Sequence, residues 1–169
     1  MKQILQNLRN GETTVVEVPS PTVVPGHLRI QTKLSLISSG TERMITQFGK
    51  SNYLNKAKQQ PDKVVQVLNK IKTDGVASTL DTISARLDEP QPLGYSNVGI
   101  VTHVGDKVDG FKIGERVVSN GRHAEIVNVP KTLCAKLPDR VNDETAVFTV
   151  VSSIGLQGVR LANPTIGET

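Results

Sequence analysis

The sequence has no tryptophan, two tyrosines and three phenylalanines. That leaves no aromatic platform on which bases could stack, so nucleic acid is not an expected partner. Cys134 is the single cysteine, which excludes an intrachain disulfide and any metal site built from two or more thiolates. A reducing cytoplasm fits that usage. No apolar run approaches the roughly 18 residues that cross a bilayer. The N-terminal MKQILQNLRNGE is broken by Asn7, Arg9 and Asn10 before a signal-peptide core could form, so no membrane partner is expected. No G-x-G-x-x-G phosphate-binding fingerprint occurs anywhere. Charge of one sign is not concentrated either: 20 Lys plus Arg stand against 16 Asp plus Glu, spread along the chain.

What is present is a chain of 169 residues, within the roughly 100–200 residues of one domain. Asn10-Gly11 is a two-residue hairpin signal between strands predicted over Lys2–Leu8 and Thr13–Val18. The clearest strand is His27–Ile37, where Leu28, Ile30, Thr32, Leu34 and Leu36 alternate with polar neighbours. Ser38, Ser39, Gly40, Thr41 and Glu42 then break it. Such a cluster is either a helix cap, with Ser39 or Thr41 capping a helix that begins near Glu42, or a catalytic loop.

Between Ser51 and Leu87 the period changes to that of helices. Val64, Val67, Leu68 and Ile71 share one face, Pro61-Asp62 is a start signal and Asp74-Gly75 a stop. Leu80, Ile83 and Leu87 form a second apolar stripe, ended by Pro90 and Pro92. Further on, Ala124–Val129 reads as a weakly alternating strand. A helix is expected around Asn142–Val151, with Asp143 and Glu144 in its first turn, and Ser152–Ala162 continues helical.

Most of the functional information lies in Leu93–Val118, LGYSNVGIVTHVGDKVDGFKIGERVV. Together with PSPTVVPGHLRIQTKLSLISSGTE before it and LPDRVNDETAVFTVVSSIGLQGVRLANPTIGET after it, this stretch resembles the N-terminal domain of the zinc-type alcohol dehydrogenases, in the medium-chain dehydrogenase/reductase superfamily. The resemblance covers Ile4–Glu42 and Leu93–Thr169. It implies a mainly β, α+β fold over residues 1–169, a GroES-like partly closed β-barrel with a helical insertion at about 43–92. It also implies a Rossmann domain after residue 169, absent from this chain, entered near Gly167-Glu168-Thr169. A narrower resemblance is to bacterial two-domain oxidoreductases of polysaccharide gene clusters.

In classical members of that family a catalytic zinc is held by Cys, His and Cys, with a Glu beside the His. By motif these positions fall on Ser39, Tyr95 and about Thr149, with the Glu on Ser96. Hydroxyls of serine, threonine and neutral tyrosine are poor zinc ligands, so no zinc is expected. Hydrogen-bond donors would then polarise the substrate carbonyl. Tyr95 is either the general acid or a packing aromatic that fills the vacated position. Thr41 matches the family's proton-relay hydroxyl and Ser39 could donate alongside it. Glu42, Ser96, Arg122, His123 and Thr149 are expected at the substrate cleft, and Ser39, Gly40, Thr41 and Ser153 at the nicotinamide of NAD or NADP.

The resemblance therefore implies the substrate-side domain of a zinc-independent NAD(P)-dependent oxidoreductase acting on a sugar or other polar alcohol, inactive in isolation. Its partners would be a small-molecule substrate, its own Rossmann domain and further copies in a homo-oligomer. The alternative is a noncatalytic binding module on the same scaffold.

Overall fold

The computed structural model describes residues 1–51, 55, 58, 61–165 and 167. In chain order the elements are β1 (Lys2–Gln6), β2 (Thr13–Glu17), β3 (His27–Ser35), α1 (Thr41–Lys50), α2 (Pro61–Asp74), α3 (Val76–Asp88), β4 (Gln91–Pro92), β5 (Asn97–Val104), β6 (Arg116–Ser119), β7 (Ile126–Pro130), a 3-10 turn (Lys131–Leu133), β8 (Cys134–Lys136), α4 (Asp143–Ala146) and α5 (Thr149–Ala162). They form two compact units. One holds Met1–Gln3, Glu17–Ile37 and Gly94–Thr169, the other Ile4–Val16 and Ser38–Leu93.

The first unit is built on a five-stranded sheet of order β7-β3-β5-β6-β8, antiparallel throughout. Adjacent side chains on a strand point to opposite faces, and here both faces are covered. Leu28, Ile30, Val101, Val117, Val127 and Val129 form one buried cluster. Val98 and Val118 pack with Ala146, Val147 and Val150 in another. The ERVV signature thus places Val117 in one cluster and Val118 in the other. Full burial of each such side chain is worth about 1.5–3 kcal/mol. The start of β1 closes toward the β7 edge through an isolated bridge between Gln3 and Ala124, and Lys2 N donates to Glu125 Oε2 at 2.7 Å.

In the second unit β1 lies between β2 and β4. Asn10-Gly11 does not make a two-residue hairpin. The connection is a six-residue loop, closed by Asn7 N donating to Glu12 O and Gly11 N to Asn7 O, both at 2.9 Å. Asn7 Oδ1 accepts from the N–H groups of Arg9 and Asn10. This inward-turned asparagine competes successfully with the primed turn.

The helices α2 and α3 pack on each other and meet at Gly75, as the stop signal predicts. The apolar stripe of α3 is only partly used, however. Leu80 is 57% exposed, while Thr79 is buried with its hydroxyl donating to Gly75 O at 2.7 Å. The side chain of Leu68, residues 52–54, 56, 57, 59 and 60 of the helical run, and Glu168 and Thr169 lie outside the described residues. No helix among the described residues is long and apolar enough to cross a membrane.

Candidate functional site

The predicted site residues divide between the units. Ser39, Gly40, Thr41 and Glu42 belong to the second, and Tyr95, Ser96, Arg122, His123, Thr149 and Ser153 to the first.

In the second unit the hydroxyl cluster starts α1, as its capping reading expects, but with different residues in the capping role. Ser38 Oγ accepts from Thr41 N at 3.4 Å, and Glu42 Oε1 accepts from Ser38 N at 2.9 Å. This reciprocal pair resembles a capping box. Glu42 is 6% exposed and serves the helix start, while Ser39, Gly40 and Thr41 are exposed. The capping hydroxyl is therefore Ser38, because its side chain reaches the first-turn N–H and leaves those of Ser39 and Thr41 at the surface.

In the first unit Tyr95 is half-buried, its ring packed against the cluster of Val98, Val118, Ala146, Val147 and Val150. Ser96 is 1% exposed, and its Oγ donates to Val147 O at 2.5 Å. A serine expected at the cleft thus spends its proton inside the fold. His123 is also inside, 5% exposed, with Nδ1 2.8 Å from Ser35 Oγ. Its neighbour Arg122 is exposed.

Thr149 and Ser153 do come together. They line an open cleft of about 170 Å³ with Ser119, Asn120, Cys134 and Val150. Sequence reasoning missed Ser119 and Cys134 there. The strand register brings them together, since Ser35, Asn97, Ser119 and Cys134 form one row across β3, β5, β6 and β8. Burial pushes the Cys134 thiol up to about 12, so it is protonated at neutral pH and a poor nucleophile.

The donor set does not fit a zinc ion. Ser39, Tyr95, Ser96 and Thr149 offer only hydroxyls, and that of Ser96 already serves Val147. Among the described residues, no group of three His, Cys, Asp or Glu could hold a metal.

The sequence model of the alcohol dehydrogenase GroES-like domain matches residues 65–139, from within α2 through the Leu93–Val118 stretch to just past β8. Curated relatives align as well. A phenolphthiocerol/phthiocerol polyketide synthase of Mycobacterium tuberculosis is 31% identical over 168 residues, covering 85% of this chain and 7% of that protein. The acryloyl-coenzyme A reductase of Metallosphaera sedula is 30% identical over 115 residues, covering 50% of this chain and 35% of that protein.

Residues 65–139 thus carry the alcohol dehydrogenase GroES-like domain of the medium-chain dehydrogenase/reductase superfamily. Solved structures show that superfamily's fold along nearly the whole chain. The quinone oxidoreductase of Coxiella burnetii superposes with a TM-score of 0.69 at 17% identity, over 99% of this chain and 47% of its own. A short chain alcohol dehydrogenase of E. coli CFT073, solved with NADH, gives 0.70 at 20% identity over 100% and 48%. The chain thus spans less than half of each of these four proteins.

Proposed function

We propose that the chain is the substrate-side domain of a zinc-independent, NAD(P)-dependent oxidoreductase in which Tyr95 acts as general acid. The observation that supports this reading is the half-buried ring of Tyr95, packed against Val98, Val118, Ala146, Val147 and Val150 beside Ser96, whose hydroxyl is committed to Val147 O. The zinc-ligand position is what the family resemblance matches to Tyr95. When bound, NAD(P)H would supply the hydride to the substrate carbon. The phenol of Tyr95 delivers a proton to the substrate oxygen as charge develops there, which removes the need for a Lewis acid. In the same reading Thr41 carries the proton relay, Ser39 is an accompanying donor, Arg122 and Thr149 face the substrate, and Ser39, Gly40, Thr41 and Ser153 touch the nicotinamide.

A cleft of about 170 Å³ at Thr149 and Ser153 is well below the roughly 300–1,000 Å³ of small-molecule sites. It suits one end of a cofactor, with the rest bound by a following dinucleotide-binding domain. Helix α5 suits that partner. Val151, Ile154, Leu156, Val159 and Leu161 are all exposed, and Arg160 is its one charged residue. A helix apolar on most sides belongs in an interior. The helical stretch at about 43–92 is proposed as an insertion into the domain, homo-oligomers as its assembly and the cytoplasm as its location.

For the substrate we propose a sugar or other polar alcohol and its carbonyl product, to be compared with quinones and enones in one assay. Turnover by the full-length parent, wild type against Tyr95→Phe, tests the acid role. Loss of most turnover with folding retained is expected, and unchanged turnover would return Tyr95 to packing. Metal analysis accompanies it, because stoichiometric zinc sinks the zinc-independent mechanism.

The second reading, a noncatalytic binding module, is favoured by the packing of the Tyr95 ring on the apolar cluster. Absence of turnover on every substrate class would support it.

A further inference from the structure

Two residues outside the proposed chemistry of Tyr95, Ser35 and His123, meet behind it. Gly94 has φ +92, and a Cβ there would lie 2.6 Å from His123 N, 2.7 Å from His123 Cγ and 2.8 Å from Nδ1. The buried imidazole and its backbone thus fill the space a side chain at position 94 would need. His123 Nδ1 hydrogen-bonds Ser35 Oγ at 2.8 Å. Ser35 is the last residue of β3 and pairs with Asn97, and the next residue, Leu36, donates its N–H to Ser96 O at 3.0 Å. The contacts close a circuit: Ser35 to His123, His123 to Gly94, then through Tyr95 to Ser96 and back to Leu36.

We propose that His123, oriented by Ser35, is a positioning residue for Tyr95. Its ring is the floor on which Gly94 rests and so sets the direction in which residue 95 leaves the turn. A phenyl group could fill the same volume, but the hydrogen bond selects one ring orientation and keeps the Ser35 hydroxyl paired in a half-buried place. The functional weight of this placement rests on the acid role proposed for Tyr95. The placement itself does not.

The absence of tryptophan makes the test direct. In a Tyr53→Phe background Tyr95 is the only tyrosine, so near-ultraviolet circular dichroism and acrylamide quenching of tyrosine fluorescence report on it. His123→Ala should abolish the near-ultraviolet tyrosine band and expose the ring to quencher while the far-ultraviolet spectrum is retained. His123→Asn, whose amide reaches the position of Nδ1, should restore both signals, and Ser35→Ala should weaken them.

An unmoved band and unmoved quenching in folded His123→Ala would overturn the proposal. Should His123→Ala fail to fold, the comparison of Ser35→Ala with His123→Asn decides: unaltered Tyr95 signals in folded Ser35→Ala overturn it. Turnover of Tyr95→Phe in the parent is a separate readout. If that variant stays active while the spectra shift as expected, the positioning stands and the acid role falls.

Discussion

Ser96 Oγ donates to the carbonyl of Val147 at 2.5 Å, which ties the Leu93–Val118 stretch to the junction of α4 and α5. In a continuous helix that carbonyl would accept the Val151 N–H. Here Ser96 takes it, and Val147 and Phe148 form a turn between two helices where the sequence predicts one. Ser96→Ala would leave a buried carbonyl unpaired and should cost about 1–3 kcal/mol. Chemical denaturation reads this directly, and a change under a few tenths would show the bond to be dispensable.

Gly99 lies opposite Thr32 in the pairing of β5 with β3. A Cβ there would lie 2.2 Å from Gln31 O and 2.7 Å from Ile30 Cγ2. The first of these is backbone in the partner strand and cannot rotate away. Gly99→Ala should therefore destabilise the domain by about 3 kcal/mol or more, at the upper end of overpacking costs. A melting temperature equal to wild type would show that the two strands can separate locally at little cost.

Cys134 links stability to alkaline pH. Burial raises its thiol from 9.0 to about 12, so the folded chain holds a proton that the unfolded chain releases. Its contribution is present in full below pH 9 and is lost as pH rises toward 12. Cys134→Ala should flatten that part of the stability curve. At neutral pH a thiol reagent should label Cys134 slowly in the native state and rapidly in denaturant. Equal rates in the two states would contradict the burial.

The exposed apolar residues of α5 predict self-association of this chain alone. Ile154→Glu with Leu156→Glu, at positions 64% and 50% exposed, should shift sedimentation toward the monomer without loss of helix content. Identical association in the variant would move the sticky surface elsewhere.

Much of the fold was legible in the chain. The alternation of Leu28 and Ile30, the Pro61 start and the Asp74-Gly75 stop are local signals, and each produced its element. Asn142 before Asp143 and Glu144 marks a helix start equally well, and its side chain accepts from Thr145 N at 2.8 Å. The site was less legible, since hydroxyl side chains carry no distinctive spacing. Whether a Ser or Thr caps, packs or faces solvent depends on what the fold brings to it.

Ser38, Ser39 and Thr41 illustrate this within four residues, and Ser96 and His123 illustrate it across the sheet. By itself the sequence determined most strand and helix types, through periodicity and local start and stop signals, and its motif order carried the resemblance to the superfamily. Only the tertiary structure decided that Ser96 and His123 are interior and that Ser119 and Cys134 meet Thr149. Those relations arise from strand register and close packing between segments distant along the chain, and pairwise contact of that kind leaves no local pattern to read.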